Sequence, residues 1–150
     1  MATWGAFAEA DAELAAFGIE QFKSGIAYLA TVRKDGSPRV HPVTPIIGQG
    51  RLFLFMEPTS PKGYDLKRDG RYALHSSGDS SAQSGEFLIS GRAALVNDLS
   101  SRAIAVEAVS YTPADRYILF EFSVERALST LYEQGQPIRR RWEEKGGEKL

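Results

Sequence analysis

The sequence predicts a mostly β protein, an antiparallel barrel with short peripheral helices. Three observations carry this prediction. Runs of strand-forming residues follow one another along the chain, and tight turns such as Asp35-Gly36 join them, which makes neighbouring strands antiparallel. The runs "YLATV" and "LFLFM" are apolar on both faces, so each must be covered on both sides. Helical periodicity is confined to short segments.

The elements are predicted in order along the chain. A helix spans about residues 7–23, with apolar residues at helical spacing and Gly18 as a candidate break. Strands follow at 26–33, 38–47, 51–56, 71–77, 85–97 and 116–125, and a final hairpin over 127–142 turns at Gln134-Gly135. Asp98 caps a helix before the strand at 116–125. The total is seven or eight strands and two or three helices.

We expect one domain over residues 1–142, followed by a solvated charged tail at 143–150. The prolines at 42 and 45 cannot donate to a β ladder, so the strand at 38–47 must have bulges or unpaired edge positions there.

Composition excludes several classes of function. Net charge is −1, which gives no general attraction to nucleic acid. The chain has no cysteine and two histidines, so no cysteine-rich or histidine-rich metal site is expected and the metal prediction is none. The first residues lack the basic start of a secretory signal, and no apolar run approaches the ~20 residues of a membrane span. A cytoplasmic protein is expected.

The stretch "TSPKGYDLKRDG" predicts a short helix with a lysine in an unusual place. Ser60 is a good N-cap, Pro61 suits the first helical position, and Gly70 can end the helix in a left-handed conformation. Lys62 lies in the first turn, where the helix dipole disfavours cations by ~0.3–1 kcal/mol. Beside a capping serine and the hydroxyl of Thr59, this lysine favours a phosphate as the ligand of the helix end.

The order of elements and three motifs resemble the FMN-binding split-barrel proteins, the relatives of pyridoxamine 5'-phosphate oxidase. The motifs are "DG-x-PR-x-x-PV", "S-x-K" at the start of a short helix, and "G-x-A" late in a strand. The resemblance covers roughly residues 25–96 well. It implies a split barrel of the FMN-binding type and a homodimer with two flavin sites at the subunit interface.

The resemblance also implies which residues bind FMN. Ser60 and Lys62 match the residues of the relatives that hold the phosphate, whereas Pro61 stands where relatives often carry an arginine. The strand along the flavin ring corresponds to Arg39, Val40, His41, Pro42 and Val43. Further cofactor contacts correspond to Phe55, Met56, Thr59 and Glu86.

Arg139, Arg141 and Trp142 are candidate contacts to the site of a partner subunit. On a strand, Arg139 and Arg141 point to one side and Arg140 to the other. Three charged residues in a row are also typical of a solvated sheet edge. The substrate-binding arginine pattern of pyridoxamine 5'-phosphate oxidase is mostly missing, so oxidation of vitamin B6 is not expected.

These features predict a flavin-dependent oxidoreductase that uses FMN and a small organic substrate, with a reduced nicotinamide as a candidate partner. No side chain is identified as a catalytic acid or base. Two alternatives remain open: a reductase of the same fold that uses a deazaflavin cofactor, and a non-catalytic sensor or binding protein for flavin or haem.

Overall fold

The computed structural model describes residues 1–23, 25–78 and 85–145, which contain nine strands and four helices. The helices are α1 (Trp4–Ala10), α2 (Ala12–Phe22), α3 (Pro61–Arg68) and α4 (Leu99–Ala108). The strands are β1 (Ala27–Val32), β2 (Pro38–Val43), β3 (Ile46–Gly48), β4 (Arg51–Met56), β5 (Arg71–Ser76), β6 (Glu86–Leu95), β7 (Ile118–Phe122), β8 (Arg126–Glu133) and β9 (Gln136–Glu143).

All strand pairs are antiparallel, and the sheet curls into a half-barrel, which confirms the predicted fold class. The sheet runs in the order β2-β1-β5-β6-β7-β4-β3, and the β8–β9 hairpin branches from β6. Strand β6 makes this branch possible, because its first half pairs with β8 and its last residues pair with β7. The sheet therefore splits in the middle of β6.

Gly91 lies at this split, where a side chain would not fit. A Cβ atom at Gly91 would be 2.3 Å from the carbonyl oxygen of Ser123. The Ser123 backbone is fixed there, because its N–H donates to the Arg92 carbonyl at 2.8 Å and its carbonyl accepts from the Tyr72 hydroxyl at 2.6 Å. The glycine of the "G-x-A" motif is thus required by the close approach of two backbones.

We expect Gly91→Ala to destabilise the protein, because the new methyl group overlaps a fixed carbonyl and the backbones must separate. The expected loss in the free energy of unfolding is about 1–3 kcal/mol. Ser90→Ala, one residue earlier and half-buried on the other side of the strand, is the control. Equal urea midpoints for the two variants would contradict this account of the split.

The predicted single helix at about 7–23 is two helices that meet at Asp11. The Asp11 carboxylate accepts from the backbone N–H of Leu14 at 3.1 Å and caps α2, while its own N–H closes α1 on the Phe7 carbonyl. Gly18 is therefore not the break. It lies inside α2, where a Cβ atom would be 2.5 Å from the ring of Phe87.

The core is rich in aromatic side chains contributed by the two N-terminal helices. Trp4 and Phe22 pack against Phe87 of β6, with ring centroids 6.1 Å and 5.4 Å from that of Phe87, and Phe7 packs on Trp4 at 5.2 Å. Each of the four side chains is at most 7% exposed. The helices thus provide the cover that the apolar strand faces were predicted to need.

The predicted strand at 38–47 is divided into β2 and β3, which lie at opposite ends of the main sheet path. Pro45 lies in the connection between them, and Pro42 lies in β2, which among the described residues pairs with β1 alone. The expected edge position of Pro42 is confirmed. The division of this strand and of the first helix explains why the structure has one strand and one helix more than the upper limits predicted.

Gly70 has a different role from the predicted one. The residue that follows α3 is Asp69, with an extended φ of −143°, and Gly70 is not among the residues with positive φ. A Cβ atom at Gly70 would instead be 2.6 Å from the Ala93 carbonyl oxygen, so this glycine permits close packing on β6. The predicted turn at Gln134-Gly135 is confirmed, with φ of 51° and 76°.

The described residues continue to Lys145, so residues 146–150 of the predicted tail lie outside them. Glu143 still belongs to β9, and the Glu144 N–H donates to the Glu125 carbonyl at 2.8 Å. Strand pairing therefore extends just beyond the predicted boundary at 142. Among the described residues, no helix combines the length and apolar character that crossing a bilayer requires.

Candidate functional site

The N-terminus of α3 has one free backbone donor. Ser60 is the N-cap, as predicted, and its hydroxyl accepts from the Gly63 N–H at 3.3 Å. Pro61 has no N–H to satisfy. The N–H of Lys62 has no acceptor among the described residues, so it is available to a ligand in front of the helix.

Three basic side chains, Lys62, Arg39 and His41, contribute to the electrostatics near this helix end. Lys62 is half-buried, and burial lowers the pKa of its ammonium. The pKa of His41 is lowered by burial and then by the positive charges of Lys62 and Arg39. Within residues 1–23, 25–78 and 85–145, no carboxylate pairs with Lys62. Unpaired positive charge and a free N–H at a helix N-terminus suit an anion.

Asp65 fixes the position of Arg39 from inside the fold. Its carboxylate is 3% exposed and accepts from the Thr31 hydroxyl of β1 at 2.7 Å and from the Arg39 Nε of β2 at 2.7 Å. The other carboxylate oxygen accepts from Arg68 at 3.3 Å, and Arg68 also donates to the Val32 carbonyl. One buried carboxylate therefore joins α3 to both strands of the first hairpin.

The charge of Asp65 is retained although it is buried. Burial alone would raise the pKa of its carboxyl, but hydrogen bonds from Arg39, Thr31 and Arg68 outweigh burial and hold the pKa below its usual range. Because the folded protein favours the ionised form, Asp65 stabilises the fold fully above about pH 4, and this contribution is lost as the pH falls through the lowered pKa.

We expect Asp65→Asn to lower the free energy of unfolding at pH 7 by about 3 kcal/mol, because two guanidinium groups lose their buried counter-charge. The difference from the native protein should shrink as the pH falls from about 4 through the lowered pKa, where Asp65 in the folded protein becomes neutral. Urea unfolding at several pH values measures both effects. Asp69→Asn, which breaks the exposed pair with Arg71, should cost less. A pH-independent difference for Asp65→Asn would contradict this assignment.

Strand β2 presents its predicted site residues to two different sides. Arg39, His41 and Val43 alternate with Val40 and Pro42 along the strand. The first set faces the buried side of β1, where Arg39 opposes Thr31. The charges of Lys62 and Arg39 act on His41, whereas Val43 packs against the hydrophobic core.

Val40 and Pro42 belong to an exposed apolar surface, here called the outer face. The strand register places residues of β1, β2, β5 and β6 side by side on it. Two of its large side chains are open to solvent, since Val40 is 64% and Tyr28 45% exposed. The outer face comprises Tyr28, Ala30, Val40, Pro42, Ala73 and Leu88.

The structure brings Thr59, Ser60, Pro61 and Met56 to the N-terminal end of α3, but it does not bring the Phe55 side chain there. Met56 is buried beneath the helix, with its sulfur 3.2 Å from where a Cβ of Gly63 would be. Phe55 points to the opposite side of β4 and packs under Arg102 of α4, at 5.1 Å from ring centroid to guanidinium carbon. Its side chain packs in a second apolar cluster, with Ile46, Phe53, Ala105 and Leu119.

Glu86 lies three strands away from β2 in this chain. It is exposed at the start of β6, and β1 and β5 separate β6 from β2. Three strand spacings amount to about 14 Å. Glu86 and the Arg39–His41 pair are therefore not part of one cluster within a single chain.

The predicted site residues of the C-terminal hairpin lie on two opposite sides of β9, because successive side chains of a strand alternate. Arg139 and Arg141 are exposed on one side of β9, opposite Thr130 and Leu128 of β8. Trp142 lies on the other side and packs against Phe7 of its own chain, with centroids 5.0 Å apart. The structure therefore places Trp142 half-buried against the core, on the side of β9 opposite to Arg139 and Arg141.

Arg140 shares the side of Trp142 and is engaged within the chain. Its guanidinium pairs with Asp11 at 2.8 Å and with Glu13 at 3.2 Å, so it anchors the hairpin to the junction of α1 and α2.

A cleft of about 710 Å³ beside α3 was not predicted from the sequence. It lies between α3 and the β1–β2 turn, and its lining includes Thr59 and Pro61, which flank the N-cap Ser60. The signal in the sequence was the spacing of residues 61, 64, 65 and 68, which share one face of the helix. This basic cleft is lined by Arg33, Lys34, Arg39, Tyr64, Asp65 and Arg68.

Solved structures with this fold span several functions. PhzG from Burkholderia lata, solved in complex with tetrahydrophenazine-1-carboxylic acid, superposes with a TM-score of 0.67 at 16% identity and covers 95% of this chain and 88% of its own. A NimC/NimA family protein from Clostridium acetobutylicum has a TM-score of 0.64 at 19% identity, with 83% of this chain and 90% of its own covered. At these identities the similarity establishes the fold alone.

A haem-binding protein from Mycobacterium smegmatis also superposes, with a TM-score of 0.64 at 19% identity over 83% of this chain. This chain spans only 57% of that protein's length. A comparison with curated proteins gives no match.

A family model settles the relationship that the motifs suggested. The model described as pyridoxamine 5'-phosphate oxidase matches residues 10–131 of the 150 in this chain. The match includes the first hairpin, the α3 helix with Ser60 and Lys62, and the split strand β6. The chain therefore belongs to the pyridoxamine 5'-phosphate oxidase family of split-barrel proteins.

Proposed function

We propose that this protein is an FMN-dependent oxidoreductase that acts as a homodimer on a small organic substrate, with a reduced nicotinamide as a candidate electron donor. The observation that carries the proposal is the half-buried, unpaired Lys62 at the α3 N-terminus, next to Arg39 and His41. Isolated positive charge of this kind is stabilised by a bound anion. The phosphate of FMN is such an anion, and the family and the fold of the chain support FMN as the ligand.

The residues at the helix end fit a phosphate group. The Lys62 N–H and ammonium would donate to it, and the Ser60 hydroxyl can donate while it accepts from Gly63. Arg39 keeps its terminal nitrogens for the ligand, because its bond to Asp65 is made by Nε. Asp65 thus acts as a positioning residue for Arg39.

The flavin ring would lie along β2. As an edge strand, β2 has backbone groups that no neighbouring strand satisfies, and Pro42 removes one donor from this edge. Bound FMN supplies the two-electron chemistry, and the protein supplies position and electrostatics. His41 lies on the same side of β2 as Arg39, and burial, followed by the charges of Lys62 and Arg39, lowers its pKa.

The homodimer is proposed from the outer face. Contiguous exposed apolar surface marks an interaction site in a soluble protein, and Val40 and Tyr28 are large and open. Because Val40 and Pro42 lie in the strand proposed for the ring, a partner on this face would also enclose the cofactor. Arg139 and Arg141 are exposed and remain candidates for contacts to the partner's site.

Haem binding is the second candidate, and His75 is the observation that favours it. His75 lies beside Tyr28 on the same side of the sheet as the outer face, with its Nδ1 2.5 Å from the Ser76 carbonyl oxygen. This contact makes Nδ1 the protonated nitrogen and leaves Nε2 free to bind a metal. A structural relative is a haem-binding protein.

The visible spectrum of the purified protein after addition of each cofactor tests these proposals. Bands of bound flavin, bleached by reduced nicotinamide, support the oxidoreductase. A blue-shifted deazaflavin band supports the reductase alternative, and a Soret band that His75→Ala removes supports haem binding. A protein that takes up no FMN contradicts the main proposal.

We expect Lys62→Met to weaken FMN binding about tenfold or more, because one charge-assisted hydrogen bond to the phosphate is lost. Riboflavin, which lacks the phosphate, should bind both proteins equally. Lys67→Met, on the same helix but directed at the ring of Tyr64, is the matched control and should leave FMN affinity unchanged. Calorimetric titration measures the affinities of the native protein and of both variants for FMN and riboflavin. If Lys62→Met weakened riboflavin binding as much as FMN binding, a phosphate role for Lys62 would be contradicted.

We expect Val40→Asp to convert the dimer to monomers, because a desolvated carboxylate would have to be buried in the interface. Val106→Asp changes an exposed valine of α4, away from the outer face, and should leave the mass unchanged. Light scattering during size-exclusion chromatography determines the masses. A native protein that is monomeric at all concentrations would refute the proposed assembly.

A further inference from the structure

A second pocket lies beyond the other end of β2 from the basic cleft. It has a volume of about 250 Å³ and shares no lining residue with that cleft. Three segments surround it: the last turn of α2, the β2–β3 connection with the start of β3, and the chain that leaves α4. The function proposed above makes no use of this pocket, here called the α4 pocket.

The wall of the α4 pocket is mostly apolar. Phe22 of α2 and Ile46 of β3 are buried, and Ile19 of α2 is 39% exposed. Such a lining binds the apolar part of a small molecule by removing it from water. The pocket is larger than a cavity of ~150 Å³ that accepts benzene, so a single ring with a short side chain fits.

The C-terminus of α4 opens on this pocket without a cap. Ala108, the last residue of the helix, and Val109 both line the pocket. In the part of the chain that the structure describes, no backbone or side-chain group donates to the carbonyls of residues 105–108. Val109 is extended, with φ of −86° and ψ of 154°, so the left-handed turn that commonly closes a helix end is absent.

The charges around the helix end favour a cation. A helix C-terminus carries roughly −0.5 of an elementary charge, and the last turn of α4 contains no basic residue. That turn contains Glu107, which forms no ion pair within the described ranges. Lys23 also lines the pocket, but Glu20 already pairs with its ammonium at 2.5 Å.

Three hydroxyl groups lie on the same lining. They belong to Thr44, Ser110 and Tyr111, and none of them has a hydrogen-bond partner among the described residues. Each hydroxyl oxygen can accept from a donor on a ligand. The Tyr111 side chain is 46% exposed, so the face of its ring is also open to a cation.

Close packing holds the end of α4 in place. A Cβ atom at Gly48 of β3 would be 2.8 Å from the Cβ of Ala108, so the missing side chain lets the helix lie directly on the strand. Ala105, about one turn earlier, is fully buried and packs in the second apolar cluster with Ile46 and Phe53. The free carbonyl groups are therefore already positioned, and little ordering is needed when a ligand binds.

We propose that the α4 pocket binds a small amphiphilic amine. The protonated amino group lies against the free carbonyls of α4 and the hydroxyls of Thr44 and Ser110, and the apolar group packs between α2 and β3. An ammonium group has three donors and no acceptor, which suits a row of unpaired carbonyl oxygens. An anion is disfavoured, because it would face the negative end of α4 and Glu107. This site is separate from the α3 end and does not depend on bound flavin.

The test compares three molecules of similar size and different charge: phenethylamine, phenethyl alcohol and hydrocinnamate. Each is titrated calorimetrically into the protein freed of flavin. The amine should bind about tenfold or more tightly than the alcohol, because its hydrogen bonds are charge-assisted. Hydrocinnamate, the anion, should bind more weakly than the alcohol. The affinity for the amine should fall as the pH rises through the pKa of the amine, whereas the affinity for the alcohol should stay constant.

Three variants locate the site. Ala108→Lys places a cation of the chain itself at the free carbonyls and should remove the preference for the amine over the alcohol. Ala103→Lys makes the same change at an exposed position more than one turn earlier in α4 and should leave that preference intact. Ile19→Asn makes the apolar wall polar and should weaken binding of the amine and the alcohol alike. All three variants should keep the FMN affinity of the native protein.

The outcomes separate this site from the proposed function. If the amine does not bind, binds no more tightly than the alcohol, or keeps its preference in Ala108→Lys, the amine site is refuted. It is also refuted if the amine binds only after FMN is added, because the amine then occupies the flavin site. A protein that binds the amine as expected but takes up no FMN retains the amine site, and the proposed function fails.

Discussion

The buried carboxylate of Asp65 is the interaction on which the candidate site depends. A charge in the interior is costly unless it is paired and hydrogen-bonded, and here Thr31, Arg39 and Arg68 provide both. These bonds lock α3 against the β1–β2 hairpin. The helix N-terminus, the edge strand β2 and the turn that carries Lys34 are therefore held in one fixed arrangement, and the cations that Asp65 does not neutralise remain for a ligand.

The division of the sheet has a comparable role at larger scale. Gly91 allows the Ser123 backbone to pass at a distance that no side chain would permit, so β6 changes partners from β8 to β7. That change opens the barrel and lets the β8–β9 hairpin branch away. On one side of this hairpin Arg140 and Trp142 attach it to the N-terminal helices, and on the other Arg141 remains exposed.

Local features were predictable and distant ones were not. Ser60 as N-cap and Lys62 as a first-turn cation could be assigned from the sequence, because capping and helix-end charge act within one helical turn and so depend on neighbouring residues. The roles of Phe55 and Trp142 could not be assigned from the sequence. The side of the strand to which each side chain points, and the residues it packs against, depend on which strand or helix covers that side. Asp65 was overlooked for the same reason: nothing in the sequence around it states that Thr31 and Arg39 will approach it.

The sequence by itself determined the antiparallel β class, the capped helix with a misplaced lysine, and the motifs that identify the family, because periodicity, turn residues and capping are short-range properties. Only the tertiary structure decided that Lys62 has no counter-charge among the described residues, that Val40 is exposed in an apolar face, and that Arg33, Lys34 and Tyr64 line one cleft. These are facts about which groups meet across long separations in the chain, and burial and charge pairing are set only when the strands are in register.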